Sequence, residues 1–568
     1  MEKIVAVLIP VLIILLLIMP EGADVWIYNK FKNIKKIMNL KKFKTVICAT
    51  TAFMVIAHLY AWVNGSFLYD TTVIYRGIPE GIHATDKWLG QFVWILDAGM
   101  NAPWLAGILA TFFMIISVYC IVDVLEINET WAICLAAGLC ATHSSIICQQ
   151  EYTGGNYTGE IALTFACIAM WIIKRVDRHV FIKTVFAALA IALSAGMYGA
   201  YVSIVPSLML LLLVFDIFNG MSGKDNWKKA FLYLFQFLAG MVLYYIILRV
   251  LLHTSGGQLS SYMGEDNLSK VSGTYNMFTS IPAAYLYIFK YYLNGCSYLP
   301  EYMALLLFAI MLTGGGLTLY WGYKRRKKLK DPGLNIPLLL LIIAILPMAI
   351  NLIYVMACGQ VHYLMIFTYV VPLLFFVKIM EEVFVEEKSR KNTIAHKYKN
   401  IRIPVFMGGL LSLFLYYSIV MGNAIYVHYY NMYEVSLSLG TRILDRIETC
   451  DGFNGTEQVV LLGHMQHQAN SYLGDQGQQE AAVLDAFLGP GNPDNVNGLY
   501  WGSHTKRFLE NILDSKLEYV HYNSMDEYIK RENVEMETIE ELQEMREFPE
   551  KDSVKKIGDK IYVKFSDS

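Results

Sequence analysis

The chain has 568 residues, 55% of them hydrophobic and 17% charged, with a formal net charge of −2 and a positive mean hydropathy. That balance excludes a single soluble domain of ordinary composition and predicts a polytopic membrane protein. Lysine and arginine crowd between apolar runs while the last stretch carries an excess of Asp and Glu, so the small net charge says little about partners; no nucleic-acid partner is expected. The nine cysteines fall mainly in apolar runs with no CxxC pair and no Cys/His cluster, so no disulfide framework, metal site or cofactor is expected.

Apolar runs lie at 4–19, 46–62, 103–124, 130–148, 160–173, 180–198, 201–219, 230–252, 302–323, 335–356, 362–380 and 404–426. Allowing for tilt, the pattern predicts an all-α membrane region of about twelve transmembrane helices. The basic segments Lys30–Lys44, Lys174–Lys183, Lys224–Lys229, Lys324–Lys330 and Lys388–Arg402 all face the cytoplasm in one topology, as the positive-inside rule requires. The first run is expected to be retained, with its amino end outside, because its positive charge follows the apolar stretch. Phe31, Ile34, Met38 and Phe43 among the lysines of 30–44 suit a segment lying on an anionic inner leaflet.

The outward side then holds 63–102, 149–159, 199–200, 253–301, 357–361 and everything after 426. Short hairpins there are expected only to join helices, whereas Trp88 to Leu96 and Tyr285 to Leu293 read as helices along the membrane surface. Residues 1–430 are expected to form the membrane domain, and 431–568 a small extracytoplasmic α/β domain. In that tail, alternation predicts a helix near 431–448, a strand at Gln458–Leu462, helices near 478–487 and 505–514, a strand at Leu517–Tyr522 and a hairpin around Gly558 and Asp559.

The candidate catalytic loop is 63–102. Asp70 follows the second apolar run within a few residues, at headgroup level, where a carboxylate suits the role of general base toward a hydroxyl. Partial burial would raise its pKa and Arg76 or Lys87 would lower it. Asp86 is placed as the cap or first-turn acid of the surface helix and as a second catalytic carboxylate. Arg76 and Lys87 suit a phosphate, Arg by paired hydrogen bonds and Lys as a point charge. Trp88 and Trp94 stack on a sugar face or anchor at the interface, and His83 contacts an acceptor or is simply solvated. Glu151 and Glu160 flank Tyr152, Asn156 and Tyr157, and an acid at that depth tends to be functional. His362 and Tyr363 open the eleventh run and reach the same outer cavity, unless these polar residues only satisfy interhelical hydrogen bonds.

Leu68-Tyr69-Asp70 after an early span, Asp86-Lys87-Trp88-Leu89 and Asn101-Ala102-Pro103 before the next span resemble the phage-type glucosyltransferase II family of integral membrane proteins, within the broad GT-C class. At 86–89 such proteins tend to carry Gly-Arg-Trp-Leu; here Asp and Lys stand first. The resemblance implies a GT-C-like fold in a bacterial cytoplasmic membrane. It implies transfer of a hexose, commonly glucose, from a polyprenyl-phosphate carrier to a cell-surface glycan on the outer face. Asp70 would then take the acceptor proton while cations of the outer loops hold the departing lipid phosphate. A lipid-linked oligosaccharide flippase or transporter is the main alternative, but the apolar midplane and lack of an internal repeat count against it. A glycan polymerase or ligase using the same carrier is a second alternative, and a non-catalytic envelope scaffold a third.

Overall fold

The computed structural model describes residues 39–65, 87–93, 96, 102–152, 157–176, 179–255, 259, 277–295, 299–359, 361–389, 394–464 and 502–565. Long helices dominate. In chain order these are α1 (Leu40–Asn64), the short α2 (Gly90–Val93), α3 (Pro103–Val124), α4 (Thr130–Ala141), α5 (Ser144–Gln150), α6 (Thr158–Arg175) and α7 (Val180–Tyr198). They continue with α8 (Ile204–Phe218), α9 (Gly223–Ser255), α10 (Met277–Asn294), α11 (Glu301–Arg325), α12 (Pro332–Ile350), α13 (Leu352–Met356), α14 (Val371–Ser389) and α15 (Ile394–Glu448).

Among the described residues, seven helices are long and apolar enough to cross a membrane, and eight if the bent pair α4–α5 is one span. The difference from about twelve has specific sources. The run at 4–19 lies outside the described residues. The runs at 180–198 and 201–219 form one 39-residue helical stretch, joined by a 3-10 turn at Gly199–Ser203. The helices at the other two runs hold ionisable residues: Glu160, Lys174 and Arg175 in α6, and Lys378, Glu381, Glu382 and Glu386 among others in α14. Of the two predicted surface helices, the first is seen as Gly90–Val93, with 94 and 95 outside the described residues, and the second is part of α10, an 18-residue helix packed on α11, α13 and α12.

The basic ends of the helices are tied by a buried ionic network. Asp123 on α3 receives Arg175 Nε at 2.8 Å, Trp171 Nε1 at 3.1 Å and Lys42 Nζ at 3.4 Å, joining α1, α3 and α6. Glu381 Oε1 accepts from the backbone N–H groups of Asn128 and Glu129, each at 2.5 Å, and so holds the exposed donors at the start of α4. Lys378 bonds Glu381 Oε2 at 2.9 Å and the Glu126 carbonyl at 2.7 Å. Arg325 pairs with Glu382 at 3.1 Å and with Glu386. Each charge has a partner, which makes such burial tolerable.

The tail builds a four-stranded sheet in the order β2-β1-β4-β3, from β1 (Gln458–Leu462), β2 (Glu518–Tyr522), β3 (Val554–Ile557) and β4 (Lys560–Lys564). Strand β1 is parallel to both neighbours and buries both faces, Val459 and Leu461 in one cluster and Val460 and Leu462 in another. It therefore reads as a continuous apolar run. The β3–β4 hairpin turns at Gly558, whose φ of 62° suits glycine. Helix α16 (Gly502–Asn511) starts three residues before the predicted position, and α17 (Met525–Glu532) and α18 (Met536–Glu544) are additional. The predicted helix at 478–487 lies outside the described residues. Helix α15 runs through 431 without a break: its earlier turns, up to Tyr429, join the membrane-region core, and Leu439, Ile443 and Ile447 join the tail core.

Candidate functional site

At the helix ends remote from the basic segments, three breaks in regular structure converge. The first lies between α4 and α5, whose axes differ by 52°. There His143 leaves the helix and its side chain accepts from Ser145 N at 3.2 Å, capping α5. The second is the 3-10 turn Gly199–Ser203. The third is the pair of 3-10 turns Tyr363–Met365 and Phe367–Val370. Ser145 Oγ donates to the Leu364 carbonyl at 2.6 Å, and Phe367 lies 5.5 Å from the His143 ring and 5.6 Å from that of Tyr201. Irregular backbone at membrane depth persists where protein encloses it or where it lines a polar cavity. The segments expected to be mere joints at 199–200 and 357–361 thus adjoin or form part of this assembly.

The floor of the assembly is polar and buried. Gln149, Gln150, Glu151 and Glu160 are each 8% exposed or less. Gln150 Nε2 donates to Glu160 Oε1 at 2.9 Å, and the Trp62 indole N–H donates to Gln150 Oε1 at 2.9 Å. Glu160 Oε2 has no hydrogen-bond partner among the described residues. Nearby, His58 Nε2 lies 2.9 Å from the Ala141 carbonyl and Nδ1 lies 2.7 Å from the Tyr426 hydroxyl, which is also 3.0 Å from the Ile147 carbonyl. These contacts bind the end of α1 and the middle of α15 to the α4–α5 bend.

Above the floor is a rim formed by the end of the first outward loop. Leu89 N donates to the Gly196 carbonyl at 2.7 Å. The Trp88 indole lies flush on Gly196, where a Cβ would stand 2.2 Å from Trp88 Cε2. Lys87 Nζ sits 4.6 Å from the Tyr198 ring centroid, a cation–π distance, and its charge acts on His362. The Tyr157 hydroxyl donates to the Val93 carbonyl at 3.1 Å, fixing α2 to the start of α6.

Five of the expected residues are thereby gathered, with Lys87, Trp88 and His362 at the rim and Glu151 and Glu160 in the floor. Asp70, Arg76, His83 and Asp86, together with Trp94, lie outside the described residues. The apolar runs at 46–62, 130–148 and 201–219 concealed His58 and Trp62, His143 and Ser145, and Tyr201 in turn, and Gln150 lay in a hairpin expected only to join helices. The available signal was polar residues in close order, Thr142-His143-Ser144-Ser145 and Gln149-Gln150-Glu151, inside an otherwise apolar stretch.

On another face, Phe53, Trp131, Met380, Phe384, Val405 and Tyr416 help line an apolar groove of about 650 Å³ between α1, α4, α14 and α15; Lys87 does not line it. Among the described residues, no three His, Cys, Asp or Glu side chains converge as a metal site.

No curated protein matches the chain, and no solved structure does. A family model described as Glucosyl transferase GtrII matches residues 59–376, more than half of the 568 residues, and that span runs from the end of α1 through the rim, the floor and His362. The chain is a membrane-type glycosyltransferase belonging to the Glucosyl transferase GtrII family.

Proposed function

We propose that this glycosyltransferase moves a hexose, commonly glucose, from a polyprenyl-phosphate carrier to a cell-surface glycan on the outer face of a bacterial cytoplasmic membrane. The observation that carries the proposal is the polar floor around Glu160, buried among the apolar helices at the end opposite the basic loops. A lipid-borne sugar reaches that level, and the basic loops at the other end favour an outward position by the positive-inside rule.

In the reaction, an acceptor hydroxyl attacks the anomeric carbon while Asp70 takes its proton. The bond from that carbon to the phosphate oxygen breaks, and the prenyl phosphate leaves with the bonding electrons. Phosphate needs no strong acid to depart, so catalysis rests on positioning and charge stabilisation. Arg76 and Lys87 hold the phosphate, with Asp86 beside Lys87 in sequence as the second carboxylate. Trp88 offers a face for sugar stacking, and His83, Glu151, Glu160 and His362 contact sugar hydroxyls. Residues 431–568 form an outward domain that recognises the acceptor.

The test is transfer of labelled hexose from a polyprenyl-phosphate donor by the reconstituted full-length protein. Asp70→Asn is expected to abolish transfer with unchanged yield and membrane insertion. Undiminished transfer by that variant removes Asp70 as the base, and absence of transfer by the wild type from any polyprenyl-linked hexose removes the donor assignment.

A further inference from the structure

Gln150 sits between Trp62 and Glu160, and the chemistry of its neighbours settles which way its amide faces. An indole N–H can only donate, so the end of the carboxamide 2.9 Å from Trp62 Nε1 is the oxygen. The NH₂ end is therefore turned to Glu160 Oε1, also at 2.9 Å. The Trp62 ring packs directly over Gly107, where a Cβ would stand 2.3 Å from it. Trp62, Gln150 and Glu160 are 6%, 1% and 0% exposed, so water does not compete for these bonds. One carboxyl oxygen of Glu160 is thus committed, and the other is buried with no hydrogen-bond partner among the described residues. Leaving such an atom unsatisfied costs free energy and calls for an explanation.

Gly159, next to Glu160, shows what faces this position. A Cβ there would stand 2.7 Å from the Tyr201 hydroxyl oxygen and 2.9 Å from Gln149 Oε1. Two further groups able to bond a hydroxyl therefore close over the first turn of α6. Tyr201 belongs to the five-residue 3-10 turn that joins α7 and α8.

We propose that Gln150 is a positioning residue which, anchored by Trp62, aims Glu160 Oε2 at a hydroxyl of the donor hexose. This rests on the hexose-transfer reading above and adds to it the element that orients the sugar. The ligand is the donor hexose rather than the acceptor because the floor is enclosed by the apolar helices of the membrane region, the side from which a lipid-linked sugar arrives. The hexose hydroxyl donates to Oε2, supplying the missing partner.

The experiment measures kcat and KM for donor and acceptor separately, with the full-length protein in lipid. Glu160→Gln and Gln150→Met are each expected to lower kcat/KM for the donor by roughly ten- to a hundredfold, the scale of a lost hydrogen bond to a charged group, through donor KM and with acceptor KM unchanged. The double variant is expected to be no worse than the poorer single one, since both remove the same interaction. Trp62→Phe, which keeps the ring and deletes the N–H, is expected to shift donor KM in the same direction by a smaller factor. It also decides the matter if Gln150→Met does not fold. Wild-type donor KM in Gln150→Met, or in Trp62→Phe where that variant decides, overturns the proposal, as do multiplicative losses in the double variant or a change confined to acceptor KM. Each of these requires an active wild type, so they are distinct from failure of the transfer reading, in which the wild type itself is inactive.

Discussion

Replacing Asp123 by alanine removes the hub of the ionic network at the basic ends of α1, α3 and α6. Its side chain is 7% exposed and that of Lys42 is 5% exposed, so the substitution leaves an ammonium buried without its counter-charge. Removing one partner of a buried pair costs about 3–5 kcal/mol. Arg175, at 29% exposure, can rehydrate and keeps its 2.6 Å bond to the residue 123 carbonyl. The expected loss is therefore at the lower end, about 3 kcal/mol, or roughly a hundredfold in the unfolding equilibrium. Asp123→Asn preserves an acceptor for Trp171 and should lose less. Lys42→Met combined with Asp123→Leu removes both charges and should recover much of the loss, as apolar replacement of buried pairs often does. Denaturant titration of the purified protein in detergent measures all four forms. A loss under about 1 kcal/mol for Asp123→Ala, or a double variant less stable than that single one, would refute the reasoning.

Gly196→Ala should drive Trp88 off its seat, since the new Cβ would lie 2.2 Å from the indole, and reduce hexose transfer by about tenfold or more through the displaced rim. Gly315→Ala, with nothing within 4 Å, should leave transfer unchanged in the same assay. In the tail, burial, with neighbouring His464 adding to it, pushes the His521 pKa from 6.5 down to about 4. The folded form then resists protonation that the unfolded chain accepts, so tail stability should fall as pH drops from about 6.5 towards 4. The Lys556 hydrogen bond holds Glu457 at about 2, so its contribution is complete above about 4.5 and should fade as pH falls towards 2. Proteolysis of the full-length protein across pH checks both, and His521→Asn and Glu457→Gln should flatten their respective windows. A cysteine at position 90, in place of a glycine with only Lys87 Cβ at 4.0 Å, should react with an impermeant thiol reagent in intact cells. Labelling only after permeabilisation overturns the outward placement of the rim.

Local patterning was readable where each residue answers to near neighbours. Strand β1 lies at the predicted Gln458–Leu462, and the hairpin turns at Gly558. Helix α17 had a readable signal that the strand pattern overshadowed: Ser524 Oγ accepts from Glu527 N at 3.1 Å, and Asn533 ends the helix with φ of 48°, the usual start and stop chemistry. The bend at His143 was hidden because averaging over 130–148 dilutes a few polar residues among many apolar ones. Tertiary pairing was not readable at all, since Asp123 finds Lys42 81 positions away and Arg175 52 away. Of the candidate site, the sequence indicated the acids and the rim residues by type and depth. It did not indicate that Gln150 and Trp62 would orient one of them.

Helix α15 couples the two cores directly. Tyr429 is buried in the membrane-region core and Leu439 in the tail core, ten positions apart on one uninterrupted helix and so separated by about 15 Å of axial rise. Arg446 clamps the far end to the Glu550 carbonyl at 2.7 Å and Ser553 Oγ at 3.1 Å. The tail is mounted on a mast rather than a tether, and its bearing obeys helical phase. Inserting a single residue between 430 and 438 would turn the tail by about 100° and raise it by about 1.5 Å, whereas seven would restore nearly the original heading at greater height. Standoff and compass direction can therefore be varied separately by counting residues.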